Sequence, residues 1–282
     1  SSRSPRLDPF PGARESLTRS HGGSDMRIGI TGIAGRMGRL LAEEVVAAGA
    51  TLAGGTIRPG SAKPLPEGAG LLPDAAALFA AADVVIDFTH AEEAVPHALA
   101  AAAAGKPLVL GSSGLSRAQE AAVAEAAARV PVVYAANFSP GVNLVLALAE
   151  QMAAALSPAQ YDAEIVEMHH RQKVDAPAGT AIALGRAVAA GRGTTLEEAG
   201  IESGRDGHTG PRATGAIGFA ALRGGQVVGE HTLLFAGATE HIALTHRSFD
   251  RRVYATGAVR AALWLRDRPP GLYGMKHVLG MG

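Results

Sequence analysis

A glycine-rich turn between a short apolar segment and an alanine-rich segment constrains this chain more than any other feature. The segment GITGIAGRMG places Gly32, Gly35 and Gly38 three residues apart, after the strand-like MRIGITG and before the helical RMGRLLAEEVVAAG. Such a turn lets the backbone approach a pyrophosphate, and the helix that follows presents its first amides to that anion. Its position at the start of a strand–helix series predicts nucleotide binding.

Strand and helix patterns then alternate as far as about residue 139. The segments DVVIDFT, KPLVLGSSG and VPVVYAANF have the composition of buried strands, and alanine-rich helical segments separate them. This alternation predicts a parallel sheet covered by helices on both faces, that is, a Rossmann-type, doubly wound dinucleotide-binding domain over residues 26–139. The helical segment RRVYATGAVRAALWLRD near the C-terminus is expected to return to it, so residues 251–282 would complete this domain.

The pattern changes after about residue 140. A helix (VNLVLALAEQMAAAL) and a strand (DAEIVEMHH) precede two long alternating segments, IGFAALRGGQVVGEHTLLFAG and HIALTHRSF. Gly224 and Gly225 are read as a hairpin turn inside the first of these. The predicted fold class is therefore α/β, with the Rossmann-type domain joined to a second, α+β domain over residues 140–250 that carries a largely antiparallel sheet.

Composition excludes several classes of function. The 26 basic residues balance the 26 acidic residues of the 282-residue chain, so no nucleic-acid partner is expected. The absence of cysteine excludes disulfides, thiolate metal sites and thiol nucleophiles. No apolar run reaches the roughly 20 residues of a membrane span, so we expect a cytoplasmic protein with no membrane partner. Residues 1–25, rich in Ser, Arg, Pro and Gly, are interpreted as a flexible leader before Met26.

The segment HHRQKVDAPAGTA carries an unusual density of titratable side chains. The preceding strand would deliver His169 and His170 to its carboxyl end, Lys173 lies on the connection, and Gly179 and Thr180 begin the next helix. Helix-terminal amides and a hydroxyl form a receptor for a carboxylate, while a histidine and a lysine can supply protons. Together they predict a site for a small dicarboxylate whose double bond is reduced. No metal site is predicted, because adjacent histidines on a strand point to opposite faces.

These residues carry a resemblance to a known family. The segment EMHHRQKVDAPAGTA closely resembles the catalytic motif of the dihydrodipicolinate reductase (4-hydroxy-tetrahydrodipicolinate reductase) family. The likeness runs from about Met26 to the C-terminus and includes GITGIAGRMGR, VIDFTHAEE, AANFSPGVN, GRDGHTGPR and GAVRAALWL. It implies that His169 is the catalytic acid and Lys173 a second proton donor. It also implies that His170 is a substrate ligand and that Gly179 and Thr180 hold a substrate carboxylate.

The resemblance also implies a set of cofactor-binding residues. They are Gly32, Ile33, Ala34, Gly35, Arg36 and Met37 in the pyrophosphate loop, Gly111, Ser112 and Ser113 beside the nicotinamide, and Ala135, Ala136, Asn137 and Phe138 in a further cofactor-lining stretch. Two departures are visible: serines replace both threonines of a Gly-Thr-Thr segment, and Ala178 stands where a serine is common. Because the backbone groups remain, we expect modest effects.

The activity implied by the resemblance is NAD(P)H-dependent reduction of 4-hydroxy-tetrahydrodipicolinate to tetrahydrodipicolinate, with loss of water, in lysine and diaminopimelate biosynthesis. The family is typically a homotetramer assembled through the sheet of the second domain. Two alternatives stay open at this point. One is a catalytically silent, nucleotide-sensing homologue, and the other is a reductase similar to aspartate dehydrogenase.

The cofactor preference is predicted from the end of the second strand. The segment GGTIRPG has Ile57 followed by Arg58, where the family often has an acidic residue followed by arginine. Isoleucine cannot accept hydrogen bonds from the ribose hydroxyls, whereas the guanidinium of Arg58 can hold a 2′-phosphate. The sequence therefore predicts NADPH as the preferred cofactor, with NADH possible.

Overall fold

The computed structural model of the chain describes residues 26–281. The leader proposed for residues 1–25 lies outside the described residues. Within them the chain forms two sheets of six and five strands, each with helices packed against it. The predicted α/β fold class, with a second domain of mixed α and β structure, is confirmed.

The strands of the described residues are β1 (Arg27–Thr31), β2 (Thr51–Gly55), β3 (Val84–Asp87), β4 (Leu108–Leu110), β5 (Pro131–Tyr134), β6 (Asp162–His169), β7 (Ile201–Ser203), β8 (Ile217–Arg223), β9 (Gly229–Ala236), β10 (His241–Ser248) and β11 (Gly271–Tyr273). The α-helices are α1 (Arg36–Ala47), α2 (Ala75–Ala81), α3 (Ala91–Ala104), α4 (Arg117–Ala127), α5 (Pro140–Ala155), α6 (Gly179–Gly191), α7 (Leu196–Ala199), α8 (Arg252–Trp264) and α9 (Met275–Val278). A short 3₁₀ turn, Leu265–Asp267, follows α8.

The first sheet has the strand order β11-β5-β4-β3-β1-β2, and all of its pairings are parallel. Each of its central strands is a short apolar run buried on both faces; in β3 all four residues are buried. The C-terminal segment packs against this sheet. Helix α8 packs on α1, and β11 extends the sheet beside β5.

The second sheet has the order β10-β9-β6-β8-β7 and is mixed. Strand β6 pairs antiparallel with β9 and parallel with β8, and β9–β10 is antiparallel whereas β7–β8 is parallel. Its inner face buries Ile165, Leu233 and Phe235 against α5 and α6. Its outer face leaves apolar side chains such as Val166 and Leu222 accessible.

The predicted hairpin turn at Gly224-Gly225 is wrong. In the described sheet β6 lies between β8 and β9, so the connection from β8 to β9 crosses the end of β6 instead of closing a hairpin. Gly224 N–H donates to the carbonyl of His169 at 2.9 Å, and Arg171 N–H donates to the carbonyl of Gly225 at 3.3 Å. A glycine pair marks a chain reversal, but it carries no information about a strand from elsewhere that occupies the gap.

Candidate active site

The turn between β1 and α1 has the geometry that an anion-binding loop requires. Gly32 has a φ of +63°, and a Cβ on Gly38 would lie 2.4 Å from the Gly32 carbonyl oxygen, so neither position accommodates a side chain without distortion. Helix α1 begins at Arg36 after Gly35, which supplies no side-chain cap. The amides of the first helical turn therefore face the cleft with no intrahelical acceptor, and these residues fit a dinucleotide pyrophosphate.

A cavity of about 680 Å³, called here the nucleotide cleft, opens over this turn. Of the predicted cofactor residues it is lined by Gly32, Ala34, Gly35, Arg36, Met37 and Arg58. Ile33 is placed differently: its side chain is buried in the core, and its N–H donates to the carbonyl of Thr56 at 3.0 Å. Arg58 is exposed at the end of β2, and Lys63 adds a second cation to the same wall.

A buried carboxylate lies under the nucleotide cleft. Asp87, at the end of β3, accepts hydrogen bonds from the hydroxyls of Thr31 (2.9 Å) and Thr89 (2.6 Å), and His97 Nδ1 lies 2.8 Å from its other oxygen. Burial acts to raise the pKa of Asp87, but the hydrogen bonds and charge of His97, together with Thr89, hold that pKa below its ordinary value. Burial acts to lower the pKa of His97, and Asp87 more than offsets it, so that pKa is raised.

A second cavity of about 960 Å³, called here the catalytic cleft, brings together residues of both halves of the chain. All the predicted catalytic and substrate-binding residues line it: His169, His170, Lys173, Gly179 and Thr180. Ser113, Ala135, Ala136 and Asn137 line the same cavity from the first sheet. The two sets meet at a hydrogen bond of 3.3 Å from Asn137 Nδ2 to Thr180 Oγ1.

Three predicted cofactor residues lie behind the wall of this cavity. Phe138 is buried, with its ring centroid 5.2 Å from that of Phe88. Gly111 leaves room for the Phe88 ring, since a Cβ at Gly111 would lie 2.4 Å from it. Ser112 is also buried, and its hydroxyl has no hydrogen-bond partner among the described residues. None of the three lines the cavity itself, and their role in cofactor binding stays a prediction.

His169, at the end of β6, is held in a defined orientation. Its Nδ1 lies 2.7 Å from Glu167 Oε2, and because an ionised carboxylate only accepts, Nδ1 carries the proton of that hydrogen bond. Nε2 is then the ring nitrogen that remains for a ligand, and Gly229 stands beside it: a Cβ there would lie 3.0 Å from Nε2. His231 packs edge-on against the His169 ring at 5.1 Å. Burial lowers the pKa of His231 to about 4, so this neighbour is neutral near pH 7.

The carboxylate of Glu167 is the centre of a hydrogen-bond network that sequence analysis did not find. It is 1% exposed and accepts two hydrogen bonds of 2.8 Å from Arg223 and one of 3.1 Å from the N–H of Ala178. Burial acts to raise the pKa of Glu167, but the hydrogen bonds from Arg223, His169 and Ala178 outweigh it and hold that pKa below its ordinary value. The alternation of side chains along a strand could have predicted this residue, because Glu167 and His169 are two residues apart and share the buried face of β6.

The loop between β6 and α6 supplies the remaining polar groups. Lys173 Nζ lies 2.8 and 2.9 Å from the two oxygens of Asp175, and this pairing holds the pKa of Asp175 below its ordinary value. His170 Nδ1 is buried and has no hydrogen-bond partner in residues 26–281. Helix α6 begins at Gly179 after Ala178, which provides no side-chain cap. The cleft thus combines a histidine, a lysine and the amides of a helix N-terminus, the groups that bind and protonate a carboxylate-bearing ligand.

Comparison with known proteins identifies the family. The family profile described as "Dihydrodipicolinate reductase, N-terminus" matches residues 26–138, and that described as "Dihydrodipicolinate reductase, C-terminus" matches residues 141–279. The chain belongs to the dihydrodipicolinate reductase family. It is 67% identical over 256 residues to the 4-hydroxy-tetrahydrodipicolinate reductase of Granulibacter bethesdensis, covering 91% of this chain and 97% of the relative. It is 60% identical over 259 residues to that of Acidiphilium cryptum, covering 92% and 99%.

Solved structures agree with this fold. Dipicolinate-bound dihydrodipicolinate reductase from Paenisporosarcina sp. TG-14 superposes with a TM-score of 0.74 at 23% identity, over 89% of this chain and 98% of that one. An amine dehydrogenase from Mycobacterium smegmatis shares the fold more distantly, with a TM-score of 0.53 at 13% identity, over 89% and 95% of the two chains. The chain is therefore a nicotinamide-dependent oxidoreductase of the dihydrodipicolinate reductase family.

Several residues that line the two clefts were not predicted from the sequence. In the nucleotide cleft they are Thr31, Thr56, Ser61, Lys63, Asp74, Phe88, Thr89, His90, Glu93 and His97. In the catalytic cleft the additional charged or polar residues include Asn143, Asp175, Arg186, Arg251, Lys276 and His277. Some of the former follow β3, which neighbours β1, and were accessible from the expected sheet order; the latter required knowledge of how α6, α8 and α9 converge.

Among residues 26–281 no group of three or more His, Cys, Asp or Glu side chains has an arrangement that could hold a metal ion. In the same part of this reductase, every helix is too short or too polar to cross a membrane.

Proposed function

We propose that this chain reduces 4-hydroxy-tetrahydrodipicolinate to tetrahydrodipicolinate, with loss of water, in lysine and diaminopimelate biosynthesis, and that the catalytic cleft is the site of the reaction. One observation carries the proposal: the predicted proton donors, the predicted carboxylate-binding turn and four predicted cofactor residues line the same cavity, the last being Ser113, Ala135, Ala136 and Asn137. The relatives at 60% identity or more bear the name of this activity. The related solved structure has dipicolinate, itself a cyclic dicarboxylate, bound to it.

The charges around the catalytic cleft suit a doubly anionic substrate. The cavity is lined by one acidic residue of the described chain, Asp175, and by seven basic residues: His169, His170, Lys173, Arg186, Arg251, Lys276 and His277. A cavity lined mainly by one sign of charge concentrates ligands of the opposite sign. Lys173 already holds a carboxylate, that of the exposed Asp175, and a substrate carboxylate can take its place.

Each residue of the cleft has a role in this proposal. The reduced nicotinamide, when bound, supplies a hydride. His169 donates from Nε2 when both of its ring nitrogens are protonated, and it keeps the proton on Nδ1 in the bond to Glu167. Lys173 is the second proton donor. His170 and the first amides of α6, at Gly179 and Thr180, hold the two carboxylates. Asn137, through its bond to Thr180, fixes the carboxylate-binding turn relative to the cofactor wall.

One assay tests the activity against both alternatives. We expect rapid oxidation of the nicotinamide with freshly generated 4-hydroxy-tetrahydrodipicolinate, and no oxidation with oxaloacetate plus ammonia. Turnover only with oxaloacetate and ammonia would identify an enzyme similar to aspartate dehydrogenase. Nucleotide binding without turnover of either substrate would identify a catalytically silent sensor.

The preferred cofactor under this proposal is NADPH. Arg58 and Lys63 line the wall of the nucleotide cleft near the end of β2, and Ile57 packs against the hydrophobic core. Two cations near the position of the adenosine ribose favour a 2′-phosphate, while NADH would find no acceptor at Ile57. We expect tighter binding of NADPH than of NADH at low ionic strength, with the difference shrinking as salt rises and largely vanishing in Arg58→Ala. Equal affinities in the wild type would contradict the preference.

Self-association as a homotetramer is the last part of the proposal. The outer face of the second sheet carries accessible apolar side chains, with Val166 38% and Leu222 51% exposed. An apolar sheet face of this kind is a common contact between subunits. We expect a tetrameric mass by light scattering, and smaller species for Leu222→Lys. Val46→Lys, which changes an exposed apolar residue on α1, is the control and should leave the mass unchanged.

A further inference from the structure

The strongest unexplained feature of the molecule is the pairing of Glu167 with Arg223 behind the catalytic cleft. Neither residue lines the cavity, yet both contact groups that do. A buried ion pair is weak evidence for stability, because desolvation offsets much of the attraction between its charges. Its position points to a role in the reaction.

Glu167 connects two parts of the site through its two oxygens. Oε2 receives His169 Nδ1 at 2.7 Å, and Oε1 receives the N–H of Ala178 at 3.1 Å, the residue immediately before α6. One rigid carboxylate therefore fixes the proposed acid and the start of the proposed carboxylate-binding turn. Because Glu167 is held on both sides within β6 by β8 and β9, its backbone has little freedom to move.

Arg223 completes the arrangement from the neighbouring strand. Its guanidinium binds both oxygens of Glu167 at 2.8 Å, and Nη2 also donates to the carbonyl of Asp175 at 2.6 Å. The second contact reaches the loop that carries Lys173. A planar fork of donors can satisfy a carboxylate and a carbonyl together, which a lysine ammonium cannot do with the same geometry.

We propose that Glu167 is a positioning residue for the reaction, which holds His169 with Nδ1 protonated and Nε2 directed to substrate, and that Arg223 locks the loop between β6 and α6 to the same carboxylate. This inference rests on the proposed function, since it assigns a partner to the proposed acid. Two separable effects follow. The bond to His169 governs turnover, and the bonds to Ala178 and Asp175 govern substrate binding.

The test compares Glu167→Gln and Arg223→Lys with a matched control. Glu164→Gln changes another glutamate of β6 that is also paired with an arginine, Arg212 at 2.9 Å, but that does not line either cleft. We expect Glu167→Gln to lower kcat by about tenfold to hundredfold, the usual cost of removing the partner that orients a functional histidine. We expect Arg223→Lys mainly to raise KM, and Glu164→Gln to leave both constants near those of the wild type.

Two further measurements separate positioning from loss of structure. Nucleotide affinity should stay within about twofold of wild type in Glu167→Gln at a temperature well below its melting temperature, because the nucleotide cleft contains no part of the network. The melting temperature of Glu167→Gln should fall below that of Glu164→Gln, because Glu167 is buried whereas the Glu164 side chain is 29% exposed. In the wild type without ligand, ¹⁵N NMR of the His169 ring should find Nδ1 protonated. This measurement decides the inference even if Glu167→Gln fails to fold.

The outcomes are distinguishable from a failure of the proposed function. A wild type that does not turn over 4-hydroxy-tetrahydrodipicolinate would overturn that function, while the NMR measurement still tests the Glu167–His169 bond. An active wild type whose Glu167→Gln variant keeps kcat within about threefold would overturn the positioning role. So would a neutral His169 ring protonated only on Nε2.

Discussion

Two buried carboxylate–histidine pairs lie beneath the two clefts, and they differ in how the carboxylate charge is balanced. Asp87 faces His97 at 2.8 Å and otherwise receives neutral hydroxyl and amide donors from Thr31 and Thr89. Glu167 faces His169 at 2.7 Å, but it also receives a bidentate arginine, Arg223. The geometry of the histidine contact is nearly the same in the two places; the permanent cation is present only in the second.

The difference bears on whether the histidine can release a proton. If His97 loses its proton, Asp87 remains as a buried charge with neutral partners, and the raised pKa of His97 reflects that cost. If His169 loses its proton, Arg223 still balances Glu167. The first pair is therefore suited to fix the floor of the nucleotide cleft. In the second pair Arg223 balances the carboxylate, which is compatible with the proposed role of His169.

The largest expected effect is a difference between the two histidines in their contribution to turnover. We expect His169→Ala to lower turnover by about a hundredfold to ten-thousandfold, the usual contribution of general acid catalysis, and Lys173→Ala to act in the same direction. Nucleotide affinity should change little in either variant, since both residues lie outside the nucleotide cleft. His97→Ala should keep turnover at saturating cofactor while losing stability. Steady-state kinetics and nucleotide titration check this, and equal losses of turnover at the two histidines would refute the distinction.

The next effect concerns the stability of the Asp87 pair. Asp87→Asn removes the carboxylate that contacts His97 at 2.8 Å, and breaking a buried pair typically lowers the free energy of unfolding by about 3–5 kcal/mol. Urea unfolding measures this loss, and nucleotide affinity should weaken with it. Asp83→Asn is the control: its partner Arg27 and Asp83 itself are 49% and 37% exposed, so the expected cost is below about 1 kcal/mol. Similar losses in both variants would show that Asp87 has no special role.

The third expected effect is a dependence of stability on pH that arises from His231, beside the Glu167 pair. His231 is neutral beside the Glu167 pair, with a pKa lowered by burial from 6.5 to about 4. Between these values the unfolded chain binds a proton that the folded chain does not, so stability is complete above pH 6.5 and falls as pH decreases towards 4, by up to about 3 kcal/mol. When the free energy of unfolding is measured with urea at several pH values in this range, it should depend less steeply on pH in His231→Leu than in the wild type. The exposed His208→Gln serves as the control, and an unchanged slope in His231→Leu would contradict the assignment.

The smallest expected effect lies at the carboxylate-binding turn. Thr180→Val removes one hydroxyl from the first turn of α6 and should raise the KM for substrate by about threefold to tenfold, the equivalent of one hydrogen bond. Turnover at saturating substrate should change less. Thr256→Val, on the exposed side of α8, is the control. An unchanged KM in Thr180→Val would place the carboxylate elsewhere in the cleft.

Local patterns were sufficient to predict most of the fold. The alternation of strands and helices, the glycine turn and the long alternating strands each depend on residues close in sequence, and each appeared at the predicted place. The hairpin at Gly224-Gly225 failed because β6, far earlier in the chain, occupies the position beside β8. A turn signal describes only the residues that form it.

The candidate site was predictable to a similar extent. The five residues predicted from one continuous motif line one cavity, and their roles in the reaction stay predictions: His169, His170, Lys173, Gly179 and Thr180. Glu167 was within reach through the alternation of β6, whereas Arg223 and His231 belong to β8 and β9, whose register no local pattern determines. The pairing of Asp87 with His97 likewise depends on how α3 packs over β3.

The central position of β6 in the second sheet has a consequence for folding during synthesis. Its hydrogen-bonding neighbours, β8 and β9, lie much later in the chain than β6 itself. During synthesis the strand that carries His169 therefore emerges without either neighbour and must wait for both before it can be held in place. The nucleotide cleft draws on β1, β2 and β3, which are made early and in succession. The strand that carries His169 therefore gains its neighbours later than the strands beneath the nucleotide cleft gain theirs.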